Sequence, residues 1–153
     1  MKIFMNDKAF TTKGYLISTD KRLLDTAVIF HYLAHESYWA KGISIERVIK
    51  SIENSVCYGI YYENVQIGFA RLITDKATFA YLADVFIVEQ HRGKGLSKWL
   101  IQTIVDDSEY DGIRRWVLAT MDAHGLYRQF GFKALEKPDN WMNIFTPYKS
   151  EGN

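Results

Sequence analysis

The sequence predicts a mixed α/β domain of the α+β kind, with a largely antiparallel central sheet flanked by helices. Residues 56–88 hold three β-type apolar runs separated by short turns, the pattern of an antiparallel meander. Segments with helical apolar spacing stand on either side of that block. The last of the three runs, Tyr81 to Val88, passes through a basic turn with two glycines directly into a helix.

Taken in order, Lys13–Ser18 reads as a first strand. Asp20 is placed to cap a helix from Lys21 toward Tyr38, turning Leu23, Leu24, Ala27, Val28, Phe30 and Leu33 inward. Ser44 caps a second helix, Ser44–Asn54, with Ile45, Val48, Ile49 and Ile52 on one face. Strands Val56–Tyr62, Gln66–Thr74 and Thr78–Val88 follow, joined by turns at Glu63-Asn64 and Asp75-Lys76. Helix Gly95–Ser108, strand Arg115–Thr120, helix Ala123–Phe130 and two closing strands, near Phe132–Leu135 and Met142–Thr146, complete the order β-α-α-β-β-β-α-β-α-β-β. Neither repeats nor a linker divide the chain, so residues 1–153 are expected to form one domain.

Composition narrows the functional classes. A chain of 153 residues buries about 68–70% of its unfolded surface, enough for a core without disulfides or metal. A net charge of +1 supplies no general attraction to nucleic acid or anionic membrane. The single cysteine, Cys57, has no partner for an internal disulfide and fits a reducing compartment. Without a long apolar span, and with Met1–Gly14 too polar for a signal peptide, a cytoplasmic location is expected.

The segment after the third meander strand carries the chemistry. A strand, a glycine-containing basic turn and a helix N-terminus together present backbone N–H groups and a helix dipole to a phosphate. Gly93 and Gly95 let the backbone approach such a ligand without a Cβ, and Arg92, Lys94 and Lys98 surround it with positive charge. The spacing is neither Gly-x-x-x-x-Gly-Lys-Ser/Thr nor a dinucleotide Gly-x-Gly-x-x-Gly, because Lys98 stands at the third glycine.

What is present, Gln90-His91-Arg92-Gly93-Lys94-Gly95, resembles the Gln/Arg-x-x-Gly-x-Gly/Ala signature of the GNAT superfamily of N-acetyltransferases. Downstream, Tyr127-Arg128-Gln129-Phe130-Gly131-Phe132 is similar to the Tyr-x-x-x-Gly-Phe of the same superfamily, at the expected distance. The resemblance spans residues 13–147. It implies an acetyl-CoA cosubstrate and an amine acceptor. It places the pyrophosphate on the backbone of Arg92 through Ser97, with Gln90, His91, Gly93, Lys94, Gly95, Leu96 and Lys98 around it. It also implies a bulged, splayed strand whose backbone at Phe86, Ile87 and Val88 serves pantetheine and the oxyanion. Tyr127 falls where the family holds a tyrosine near the departing sulfur, able to protonate it; the alternative is a tyrosine that only packs.

Asp84 interrupts an apolar strand, where an unpaired buried carboxylate is costly. Strand parity puts it on the face of Phe86 and Val88. It is a candidate to deprotonate or bind the amine; the alternative is a structural carboxylate paired with Arg71 or Arg115. Glu36, Tyr38 and Trp39, at the junction of the first two helices, and Trp141, before the last strand, are candidates for an acceptor pocket suited to an organic ammonium.

Other signals are set aside. His31 and His35 near Glu36 lack the His-Glu-x-x-His pattern and a third ligand, so no metal is expected. His91 and His124 flank the two motifs, Ser97 lies in no nucleophile elbow, and Arg92, Lys94 and Lys98 form too small a patch for nucleic acid. The expectation is an acetyltransferase acting on a small amine in a ternary complex. The alternatives are a noncatalytic acyl-CoA-binding module and a protein acetyltransferase. An aromatic content of 15% would allow a homodimer.

Overall fold

A computed structural model of the protein describes residues 1–149. Its centre is a six-stranded sheet in the order β1-β2-β3-β4-β5-β6: Ile3–Phe4, Tyr15–Ser18, Val56–Tyr62, Val65–Thr74, Phe79–Ile87 and Arg115–Val117. The first five strands pair antiparallel, and β6 joins β5 in parallel. Helices α1 (Lys8–Thr11), α2 (Thr26–His31), α3 (Ile45–Glu53), α4 (Leu96–Val105) and α5 (His124–Arg128) complete the mixed α/β architecture that the sequence predicts.

The meander is built by its turns. Glu63 and Asn64 take positive φ, 47° and 70°, between the paired Tyr62 and Val65, the geometry of a two-residue hairpin turn. At the second turn the Asp75 carboxylate accepts from the amides of Ala77, Thr78 and Phe79 and from the Thr78 hydroxyl. Those donors hold the Asp75 carboxyl well below the usual carboxylate range.

Alternation along the strands sends side chains into two cores. On one face Tyr58, Ile60, Ala70, Leu72, Ala80 and Leu82 pack against Leu96, Trp99, Leu100 and Ile104 of α4. On the other, Cys57, Phe69 and Phe86 pack against Ile29, Leu33, Val48 and Ile52 from α2, its extension and α3. Burial pushes the Cys57 thiol up to about 11, outweighing the opposing pull of Lys21 and Arg71.

Three expectations need correction. The helix from Lys21 is two elements. Asp20 caps only a 3-10 turn, Lys21–Leu23, and Asp25 restarts the helix by accepting from the amides of Ala27 and Val28. The restart turns Ile29 and Leu33 inward and leaves Leu23 on the surface. Ile49 likewise faces solvent, while Val48 and Ile52 hold α3 to the sheet. The two closing strands are absent among the described residues: 132–135 and 141–149 carry no ladder pairing. The N-terminal strand β1 and helix α1 were not foreseen. Lys2 ties that end down by bonding Asp107, which also accepts from Tyr58.

Candidate active site

Strands β5 and β6 touch only at one end. Phe79, Ala80 and Tyr81 pair with Arg115, Trp116 and Val117, and beyond Tyr81 the two strands have no common ladder. This splay opens a cleft of about 1130 Å³. Its walls are the segment Tyr32–Ala40, the end of β5, the turn before α4 and the residues around Thr120–Tyr127.

A bulge in β5 shapes the cleft floor. Phe69 pairs with Phe86 and Arg71 with Ala83, so Ala70 faces two residues, Asp84 and Val85. Asp84 holds φ at 55°, in the left-handed region that a non-glycine residue occupies at a cost. Without the extra residue Asp84 would share the parity of Leu82, inside the α4 core. The bulge instead brings it to the opposite face, the one that holds Phe86.

There Asp84 is engaged at both oxygens and only 11% exposed. Arg71 Nε donates to Oδ2 at 2.8 Å and Trp39 Nε1 to Oδ1 at 2.9 Å, while Arg71 Nη1 donates to Ser55 Oγ. The pairing with Arg71 weighed from the sequence is present, and the same carboxylate lines the cleft. Each oxygen keeps acceptor capacity beyond the one bond it makes.

The turn before α4 meets the requirements of an anion cradle. After a 3-10 turn, Glu89–His91, Gly93 and Gly95 adopt φ of 75° and 84°, and α4 begins at Leu96 with no side-chain cap. Among the described residues the amides of Gly93 through Lys98 have no protein partner; the next amide, Trp99, closes the first helical bond to Gly95. A Cβ on Gly93 would meet no protein atom within 4 Å, so the space over the turn is free for a ligand. The amide of Arg92 is spent on Glu89 and is not part of the cradle.

The Arg92 side chain turns inward. Its Nε donates to the Ile87 carbonyl at 2.8 Å and its Nη2 to Tyr32 Oη at 3.0 Å. Tyr32 stacks on Phe86 with centroids 4.0 Å apart. It opens a π-helical turn, Tyr32–Glu36, closed by the Ser37 amide on the Tyr32 carbonyl. Such turns recur at functional sites. The Val88 amide bonds Ile67 on β4, so by alternation the Ile87 amide faces the splay.

Tyr127, on α5, also lines the cleft. Burial pushes its hydroxyl up to about 12, with the nearby Tyr38 and Asp122 adding to the shift. Among the described residues that hydroxyl makes no hydrogen bond. Tyr38 Oη accepts from the Met121 amide at 2.8 Å and so holds the loop before α5. His91 bonds Tyr15 Oη at 2.7 Å.

The predicted site residues thus divide. Glu36, Tyr38, Trp39, Asp84, Phe86, Ile87, His91, Arg92, Gly93, Gly95, Leu96, Ser97 and Tyr127 converge on one cleft. Gln90, Lys94 and Lys98 stand exposed beside the turn, and Val88 points into the packing around the cores. Trp141 is elsewhere: its ring lies against the Arg115 guanidinium, 5.1 Å away, outside the cleft. After the Pro138–Asn140 turn, residues 141–149 pair with no strand among the described residues, so the expected strand does not carry Trp141 to the cleft. Tyr32 and Asp122 were missed, since a tyrosine on a helix and an aspartate in a loop look like ordinary packing or surface residues until the fold gathers them. No group of three metal-ligating side chains occurs among the described residues, and no helix there is long and apolar enough to cross a membrane.

Splayed strands, a bulge and an amide cradle define a cleft with an anion site between β5 and α4. Comparison with known proteins gives the family. The family model for the acetyltransferase (GNAT) domain matches residues 53–134, and the chain belongs to the GNAT acetyltransferases. A GNAT-family structure from Xanthomonas campestris is 41% identical, with a TM-score of 0.86 over 90% of this chain and 96% of that one. Thialysine Nε-acetyltransferase from Mus musculus is 26% identical over 75% of this chain and 62% of its own. A GNAT acetyltransferase from Elizabethkingia anophelis, determined with acetyl-CoA bound, shares the fold at 16% identity and a TM-score of 0.61, over 87% of this chain and 89% of that one.

Proposed function

We propose that the protein transfers the acetyl group of acetyl-CoA to the primary amine of a small cationic molecule by direct attack in a ternary complex, in the cytoplasm. The observation that carries this reading is the convergence, on one cleft, of an unpartnered amide cradle and a carboxylate aimed inward by a bulge. The thialysine specificity of the mouse relative, an amine on a small molecule, points the same way. So does the balance of charge: Arg71 is matched by Asp84, and in the rest of the cleft lining the two carboxylates Glu36 and Asp122 outnumber the one arginine, Arg92.

Acetyl-CoA, when bound, supplies the thioester carbonyl at which the C–N bond forms and the C–S bond breaks. The amides of Gly93 through Lys98 and the positive end of α4 hold the pyrophosphate. Ile87 N–H donates to the carbonyl oxygen as it gains charge, a contribution strongest in a dry, preorganised site. Asp84 accepts the ammonium of the acceptor and passes one proton to solvent, freeing the lone pair for attack. Tyr127 gives its proton to the departing sulfur and regains one from the acylated nitrogen. Trp39, held by Asp84, and Tyr38 wall the acceptor side.

Titration of the protein with acetyl-CoA and CoA in a calorimeter, followed by turnover assays with small diamines and lysine peptides, tests this. Micromolar binding with turnover of small amines is the expected result. Binding without turnover of any amine would favour a noncatalytic module, and turnover of peptides alone would overturn the small acceptor.

A further inference from the structure

We propose that Tyr32 and Arg92 form one clamp that positions the Ile87 amide as donor to the thioester carbonyl. Both act through Phe86 and Ile87 and are positioning residues. This role rests on the acetyl-transfer reading above, which leaves the two side chains without a task.

The backbone of Ile87 sets the problem. In an antiparallel strand the N–H and C=O of one residue point to the same side, and that side alternates along the chain. The Val88 amide bonds Ile67 on β4, so both polar groups of Ile87 face the splay, beyond the last pairing with β6. A donor and an acceptor then stand side by side. The acceptor works against the reaction, because a carbonyl lone pair repels a neighbouring oxygen that gains negative charge. Arg92 Nε donates to that carbonyl at 2.8 Å. The bond occupies the acceptor and brings a cationic guanidinium to the same edge, which keeps a free N–H.

A guanidinium on a long flexible stem stays in one place only when its other nitrogens are held as well. Tyr32 supplies that hold, with Oη accepting from Arg92 Nη2 at 3.0 Å. The same ring lies flat on Phe86, at 4.0 Å between centroids and 9° between planes. Phe86 is buried, and its carbonyl shares a peptide plane with the Ile87 N–H, so holding Phe86 fixes the direction of that donor. One tyrosine thus secures the donor from both sides, through Phe86 before it and through Arg92 after it.

Tyr32 owes its position to the π-helical turn it opens. Its carbonyl accepts the Ser37 amide at 2.8 Å. Ser37 Oγ in turn donates to the Leu33 carbonyl and accepts from the Ala40 amide, and Leu33 and Ala34 are buried in the core. The same connection carries Trp39, which bonds Asp84. A single segment therefore holds β5 at its bulge and again at the donor beyond it.

Tyr32→Phe keeps the ring on Phe86 and removes the hydroxyl that holds Arg92. The test is the infrared spectrum of bound acetyl-CoA with an isotope-labelled thioester carbonyl, read beside acetyl-CoA Kd and turnover of a small diamine. The wild-type protein is expected to lower the carbonyl stretch relative to water, and Tyr32→Phe to abolish most of that shift. Turnover should fall by about 10- to 100-fold, less than the ~10²–10³ lost with a whole oxyanion donor. Acetyl-CoA Kd should change by less than about threefold. Arg92→Lys keeps a charge but not the fork that reaches both partners, so it should move the carbonyl the same way. The double variant should add nothing further in turnover, as two parts of one unit require. An unshifted wild-type carbonyl, a carbonyl that Tyr32→Phe leaves in place, or additive losses would each overturn the clamp and leave the acetyltransferase reading standing. Wild-type protein that binds no acetyl-CoA would overturn both. Should Tyr32→Phe fail to fold, the carbonyl in Arg92→Lys against wild type decides.

Discussion

At the cofactor end of the cleft the working groups are backbone amides, carried by one continuous strand, turn and helix. At the acceptor end they are side chains, drawn from the π-helical turn, the loop after it, β4, β5 and the approach to α5. The amides of Gly93–Lys98 point outward because local dihedrals and the start of α4 put them there. Asp84, Trp39 and Arg71 meet only because a bulge, a loop and a neighbouring strand converge. The first kind of site tolerates side-chain change and is sensitive to conformation. The second is sensitive to every side chain and shapes which acceptor fits.

Substitutions at the two ends should therefore separate cofactor affinity from turnover. The largest effect is expected from Tyr127→Phe, which removes one hydroxyl with little change in packing. Turnover should fall by about 10²–10⁴ while the acetyl-CoA Kd stays put. Because burial raises this hydroxyl to about 12, the neutral, proton-bearing form persists across the working range. The wild-type rate should show no Tyr127-dependent alkaline decline near pH 10, and such a decline, absent from the variant, would break the assignment.

Gly93→Val comes next and acts on the other end. A β-branched residue at φ 75° costs about 1–3 kcal/mol of backbone strain. Either the turn deforms or the new side chain occupies the ligand's space. Acetyl-CoA affinity should weaken by about 10- to 100-fold, with circular dichroism unchanged. Unaltered binding would mean that the phosphates lie elsewhere.

Asp84→Asn sharpens the comparison further. It keeps an acceptor for Trp39 but leaves Arg71 without its anion and removes the proton acceptor, so kcat/KM for the acceptor should fall by about 10- to 100-fold, with a smaller change in acetyl-CoA Kd. Equal effects on both substrates would mean that Asp84 holds the cleft as a whole.

Trp39→Phe is expected to have the smallest effect, about threefold in acceptor KM. It loses the single hydrogen bond to Asp84, worth roughly 0.5–1.5 kcal/mol, and keeps an aromatic wall. Loss of all turnover would place Trp39 closer to the chemistry than the geometry does.

How much of this was legible in the chain follows the same division. Gly93, Gly95 and the apolar face of α4 announce a cradle because close spacing along the sequence is close spacing in space. Tyr127 was reached through the motif around it. Asp84 drew notice as a charge in an apolar strand, but its partners were undecided between Arg71 and Arg115, and only register chooses. Tyr32 and Asp122 bore no local mark at all. Trp141 was placed in the pocket because the last strands of this fold usually border the acceptor cleft and it precedes the expected last strand, which does not form among the described residues.

By itself the sequence determined the local chemistry: the hairpin at Glu63-Asn64, the cap at Ser44, the glycine turn and the alternation that gives the meander two cores. These depend on dihedral preference and short-range periodicity, which a chain carries wherever it folds. Tertiary structure alone decided that an extra residue in β5 turns Asp84 away from the α4 core, that β5 and β6 part beyond Tyr81, and that Trp141–Thr146 pairs with no strand among the described residues. Each of these is a matter of register between segments distant in sequence. Register is set by the sum of many packing and hydrogen-bond contacts across strands, and no single stretch of the chain contains that sum.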